Sequence, residues 1–146
     1  QVIGGTAFRG QSNPVASSTS SYSVGLSRDN GSSYTTTASI SETVSIIGSI
    51  SPEAAHVGQV ADIFVVDRIN LAFMMKNTSG VWLSWNGRVA DLVPWREDVV
   101  LTSNGQVDIF TGKLGTAGDH RIFLGYMPTD GVLRYTPVPM RLTIDP

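Results

Sequence analysis

The side chains able to do chemistry in this sequence are carboxylates, two histidines and many hydroxyls. Glu97 and Asp98 form the only adjacent acidic pair. A glycosidase sets two carboxylates about 5–9.5 Å apart across a cleft. Neither this pair nor the spacing of Glu42, Glu53, Asp62, Asp67, Asp91, Asp108, Asp119, Asp130 and Asp145 predicts such an arrangement. A calcium loop places oxygen ligands at D-x-[DN]-x-[DN]-G spacing. No such loop occurs, and Asp29-Asn30-Gly31 and Asp130-Gly131 read as turns. His56 and His120 lie far apart, with no third residue to complete a zinc site. There is no G-x-S-x-G nucleophile elbow. The absence of cysteine removes disulfides, thiolate metal sites and thiolate nucleophiles. The expectation is a chain that is not an enzyme, with no catalytic residues, no cofactor and no metal.

Aromatic residues offer binding chemistry instead. Trp82 and Trp85 are three positions apart, so in a strand they point to opposite faces. One then lies in the core and the other outside. An exposed Trp, joined by Trp95 and Tyr126, would make a platform for the apolar face of a sugar ring. Plain core packing with one interface anchor is the competing reading. Asn30-Gly31-Ser32 and Asn77-Thr78-Ser79 match the N-glycosylation pattern, so Asn30 and Asn77 are candidate acceptors in turns.

Strands must position these residues, because helix signals are almost missing. No stretch of helical length repeats apolar residues at i, i+3, i+4 and i+7. Pro52 to His56 offers one turn, with Ser51 as a possible N-cap. From Tyr34 to Ile46 the even positions are mostly apolar or aromatic and the odd positions are all Ser or Thr. That is the pattern of a sheet with one wet face. Glu42 interrupts the apolar face, so a bend, bulge or strand edge is expected there. Val60 to Val66 is apolar on both faces except at Asp62, as suits a central strand. Further strands are expected at Leu71–Met75, Val81–Trp85, Val99–Leu101 with Val107–Phe110, Arg121–Tyr126, Val132–Tyr135 and Met140–Ile144. Asn30-Gly31, Asn86-Gly87, Asn104-Gly105 and Asp130-Gly131 supply turn residues tolerant of positive φ. Short connections imply antiparallel pairing throughout. The expected fold class is all-β, an antiparallel Ig-like β-sandwich.

The first 33 residues differ in kind. They are rich in Ser, hold few long apolar side chains and include Pro14, yet Tyr22, Val24 and Leu26 alternate with small residues. The organisation read from this is an N-terminal arm at 1–33 and a sandwich domain at 34–146. The competing reading of the arm is a disordered Ser-rich linker.

Composition bounds the partners. Charged residues make up 15% of the chain, against about 25% in typical domains. Net charge is −2, and the ten basic residues form no stripe along the sequence. Nucleic acid is therefore excluded as a partner, since phosphate neutralisation dominates that affinity. No apolar run reaches the ~18 residues of a membrane-spanning helix, so no membrane span is expected. The first residue is Gln rather than Met, which with the hydroxyl-rich composition leads to the expectation of a secreted, cell-surface protein whose leader has been removed.

From Val57 to Ile144 the chain resembles a β-sandwich (Ig-like) accessory module of bacterial exported and cell-surface proteins. The resemblance rests on Val57-Gly58-Gln59-Val60-Ala61-Asp62, on Trp82-Leu83-Ser84-Trp85-Asn86-Gly87, and on His120 to Tyr126 followed by Asp130-Gly131 and Pro139 to Ile144. It implies a fold and a location, and little about a ligand.

Two function classes follow. The first is a structural subunit of an extracellular bacterial filament or surface assembly. Its arm would add a strand to a neighbouring copy and build an open homopolymer, with Val2, Ile3 and Phe8 or Tyr22, Val24 and Leu26 as the inserted segment. The second is an adhesive or carbohydrate-binding module of a larger surface protein, in which glycans meet Trp82, Trp85, Trp95 and Tyr126.

Overall fold

The computed structural model describes residues 2–9, 14–136 and 139–146, with side chains from residue 19 onward. The chain is all-β with antiparallel sheets packed as a sandwich, and among the described residues no helix reaches seven residues. The strands are β1 (Val2–Arg9), β2 (Pro14–Ser27), β3 (Thr37–Ser39), β4 (Thr43–Ser51), β5 (Val60–Ile69), β6 (Ala72–Lys76), β7 (Trp82–Trp85), β8 (Arg96–Val100), β9 (Gly105–Lys113), β10 (Gly118–Pro128), β11 (Val132–Tyr135) and β12 (Met140–Asp145). Single 3-10 turns occupy Ala54–His56 and Val89–Asp91.

Hydrogen bonding runs along the path β7-β6-β5-β10-β11-β1-β2-β4-β9. The path folds back on itself, so that β4 lies against β10. A Cβ added to Gly48 would stand 2.7 Å from Leu124 Cδ1 across that gap. The period-2 pattern read from the sequence supplies this core. Val44, Ile46 and Ile50 of β4 are buried while the Ser positions between them are half-buried. They meet Ile63 and Val65 of β5, Ile122, Leu124 and Tyr126 of β10, and Leu142 and Ile144 of β12 in one cluster. Burial of each such side chain contributes about 1.5–3 kcal/mol.

Glu42 does break the strand, and as a turn. β3 ends at Ser39 and β4 begins at Thr43. The Glu42 carboxylate accepts the Ser39 N–H at 2.8 Å and an ion pair from Arg28. Those two bonds lower its pKa to about 2, with the Arg28 contact the larger cause. The Asp130-Gly131 hairpin forms as expected, with Gly131 at φ 75° joining β10 to β11.

One expectation is overturned. Pairing is not antiparallel throughout, because β12 and β3 run parallel, with Thr143 opposite Thr37 and Ile144 opposite Ala38. Short connections force antiparallel neighbours, but these two strands lie far apart in the sequence and no short connection constrains them.

The segment read as an arm lies within the sheet. β1 pairs β11 on one edge and β2 on the other. β2 in turn pairs β4 from Ser21 to Ser27. Tyr22, Val24 and Leu26 are core residues, exposed by 1%, 3% and 0%. Val2, Ile3 and Phe8 fall in β1, and their side chains lie outside the described residues.

Candidate functional site

β5 is buried on both faces, as its sequence pattern implied. Ala61, Ile63, Val65 and Asp67 face the sandwich core, whereas Phe64 and Val66 face outward and are still only 6% and 4% exposed. A two-layer sandwich needs only one apolar face per sheet, so this second face calls for an explanation.

Strand register builds it, since residues directly opposite one another share a face. One outward row runs Arg141 on β12, Arg121 on β10, Arg68 on β5, Phe73 on β6 and Trp85 on β7. The next row runs Phe123, Val66, Met75 and Leu83 across β10, β5, β6 and β7. The third places Gly125 between Phe64 and Tyr135. A Cβ on Gly125 would stand 2.8 Å from the Arg134 carbonyl oxygen and 3.0 Å from Tyr135 Cβ. Only glycine therefore fits at this floor position.

The aromatic rings interlock. Phe73 meets Trp85 edge-on at 5.5 Å between centroids and Phe123 at 6.2 Å. The loop after β7 folds over them. Trp85 Nε1 donates to the Arg88 carbonyl at 2.9 Å, and the Asn86 side chain accepts from the Arg88 N–H and donates to Asp91. Asn86-Gly87 thus opens a loop with one 3-10 turn instead of a hairpin, and the chain returns when the Trp95 N–H reaches the Ile63 carbonyl at 2.7 Å. Between loop and sheet lies a groove of about 410 Å³, walled chiefly by Phe64, Val66, Phe73, Trp85, Phe123 and Tyr135, with Arg88 on the loop side. Its size falls within the ~300–1,000 Å³ of small-ligand sites.

One end of the face is basic. Arg68 lies over Phe73, its guanidinium carbon 5.6 Å from the ring centroid, a cation–π position. Its Nε is buried and has no partner among the described residues. Arg141 pairs with Asp119 at 2.7 Å and holds that carboxyl below its ordinary value.

The four aromatic residues read as a platform are not brought together. Trp82 packs on the core side, with Lys76 Nζ 5.6 Å from its ring. Lys76 also donates to the Ile109 carbonyl at 2.6 Å, so it ties β6 to β9. Trp95 is a core residue, 8% exposed, with Arg96 stacked 4.0 Å above it. Tyr126 is fully buried, and its hydroxyl accepts the Glu53 N–H at 3.0 Å and lies 2.9 Å from His56 Nδ1. Trp85 alone lines the groove. Its companions Phe64, Phe73, Phe123, Arg68 and Arg121 were missed. The available signal was the second apolar face of β5, with an Arg two positions beyond Val66 and another two before Phe123.

Asn30 is exposed in its turn at φ 56°. Asn77 is half-buried, and its Oδ1 accepts the N–H groups of Ser79 and Val81. No metal-binding cluster of His, Asp or Glu occurs among the described residues, and no helix there is long and apolar enough to cross a membrane. His56 and His120 have separate partners. His120 Nδ1 lies 2.7 Å from Asp67 Oδ2 and Nε2 lies 2.8 Å from the Thr116 carbonyl oxygen. Both ring nitrogens thus face acceptors, which suits the doubly protonated ring. No family model, curated protein or solved structure matches the chain.

Proposed function

We propose that this chain is a binding module of an exported or cell-surface protein, and that its ligand sits on the outward face of β6, β5 and β10. One observation carries the reading: the groove of about 410 Å³ walled by Phe64, Phe73, Trp85 and Phe123 lies outside a core that is already filled from the other side of the same strands. An apolar groove with polar groups at its rim is the usual form of a ligand site. Trp85 presents a large, rigid ring there, and rings of this type stack on the apolar faces of sugars.

A glycan array followed by titration of Trp fluorescence tests it. Binding to the intact chain is expected, and Trp85→Ala should weaken it by about tenfold or more, as loss of a central aromatic anchor does. A silent array, or binding indifferent to Trp85→Ala, overturns the reading.

A second reading is favoured by the position of β1. It is the first strand of the described chain, and it is hydrogen-bonded along both edges, to β11 and to β2. Transferred to the same slot in a neighbouring copy, β1 would keep every ladder bond and link copies head to tail into an open filament. β1, with Val2, Ile3 and Phe8, is the segment for such an exchange, because Tyr22, Val24 and Leu26 fill the core of their own chain. Filaments seen by negative-stain electron microscopy, and lost on deletion of residues 1–9, are expected on this reading. Dispersed particles from the intact chain reject it.

A further inference from the structure

Resting on the binding reading above, we infer that the ligand is acidic: a carboxylate on a ring, of the kind a short uronic-acid oligosaccharide carries, held by Arg68 and Arg121 while the ring lies on Phe73 and Trp85.

Charge placement is the first argument. The chain has only ten Lys and Arg and a net charge of −2. Three of those ten stand side by side in one outward row, Arg141 opposite Arg121 and Arg121 opposite Arg68. Like charges directly opposite one another in a sheet are unfavourable. Asp119 pairs directly with Arg141 and attracts Arg121 more weakly, without an ion pair. Among the described residues Arg68 and Arg121 take part in no ion pair.

The second argument is an unmet hydrogen bond. Arg68 Nε is buried without a partner among the described residues, and buried donors are nearly always satisfied. The guanidinium is a planar fork of donors that matches the two oxygens of a carboxylate. An anion lying between Arg68 and Arg121 would relieve the repulsion and take up donors of the Arg68 fork.

Geometry supplies the rest. Neighbouring strands are about 4.8 Å apart, so Phe73 lies one spacing and Trp85 two spacings, about 10 Å, from Arg68 along the row. A ligand with its charge at Arg68 and its ring faces over Phe73 and Trp85 follows the row without a break. A neutral sugar would fill the aromatic half and leave both arginines unpaired.

Calorimetric titration of the intact chain with trigalacturonate, its fully methyl-esterified form and benzoate tests the assignment. The acid is expected to bind and the ester, with the same rings and no charge, to bind about tenfold or more weakly. Arg121→Gln and Arg68→Gln should each bring affinity for the acid down towards that of the ester. Lys113→Gln, at the exposed end of β9, should leave it unchanged, and added salt should weaken the acid alone. Near-UV circular dichroism of each variant checks that the fold is intact. Benzoate binding with the same arginine dependence, and no trigalacturonate binding, would keep the anion site and reject the saccharide. Acid and ester binding equally, with both arginine variants silent and Trp85→Ala still damaging, overturns the acidic ligand and leaves the groove. Binding of none of the three probes overturns the acidic ligand, while the binding reading itself stands or falls on the glycan array.

Discussion

A chain lacking residues 1–33 is expected to lose its cooperative fold. The deletion removes β1 and β2 together. β2 pairs β4 over seven registered positions, from Ser21 opposite Ser51 to Ser27 opposite Ser45, and every one of those ladder bonds goes with it. Tyr22, Val24 and Leu26 are exposed by 3% or less and sit in the main core cluster. Burial of these three side chains contributes on the order of 6 kcal/mol, comparable with the whole ~5–15 kcal/mol that separates a native domain from its unfolded chain. Leu26 is further tied by reciprocal backbone bonds with Thr35, at 2.9 and 2.8 Å. Urea denaturation followed by Trp fluorescence should show a sigmoidal transition for the intact chain and none for the shortened one. A folded shortened chain would mean that the segment is a detachable arm after all. Deletion of residues 1–9 alone separates the two ideas, because it spares the β2 side chains that fill the core.

The second large effect is expected at the buried pair of β5 and β10. Asp67 and His120 are exposed by only 6% and 2% and meet at 2.7 Å. Removing one partner of such a pair leaves the other buried and uncompensated, which typically costs about 3–5 kcal/mol. Asp67→Ala should therefore lower the melting temperature by on the order of 10 °C.

The pair also sets a pH dependence. Burial opposes a charged His120 ring, but its bonds to the Asp67 carboxylate and the Thr116 carbonyl outweigh burial and hold its pKa above the ordinary 6.5. The folded chain thus keeps this proton at pH values where the unfolded chain has released it. The resulting stability is fully present below the unfolded value and is lost as pH rises through the higher folded one. Urea midpoints measured between about pH 6 and pH 9 should fall as pH rises, and the fall should shrink in Asp67→Asn. A wild-type profile that is flat or rises would show that the ring is not held charged.

Much of the fold was legible in local pattern. The even positions from Val44 to Ile50 are buried because period-2 alternation puts them on one side of the pleat. β5 was recognisable as central because its apolar residues ignore that alternation. Glu42 marked a break because an acidic side chain could not continue the apolar face, and its bonds to Arg28 and Ser39 made that break a turn. In the first 33 residues the alternation of Tyr22, Val24 and Leu26 marked a strand-capable segment, while the small hydroxylated side chains around it gave no sign of where that strand would pair. The apolar alternation of β2 is strongest at Tyr22, Val24 and Leu26, and its pairing partners are β1 and β4, the latter beyond the Asn30-Gly31 turn.

The site was less legible, for a physical reason visible in its residues. The spacing of Trp82 and Trp85 correctly put them on opposite faces, since that follows from the backbone of one strand. It could not say which face held a groove. Arg141, Arg121, Arg68, Phe73 and Trp85 come from five strands; the tight Asn70-Leu71 turn makes Arg68 and Phe73 neighbours, but nothing local in the sequence brings Arg121 and Arg141 to them. A slip of one residue in any of those pairings would turn that strand's side chains to the other face. The strands, the turns and the buried positions are thus properties of the sequence, because alternation, turn chemistry and apolar content act over a few residues. The arginine and aromatic row, the parallel pairing of β3 with β12 and the enclosure of β1 belong to the tertiary structure. Register between distant strands is settled only when whole apolar faces pack against each other.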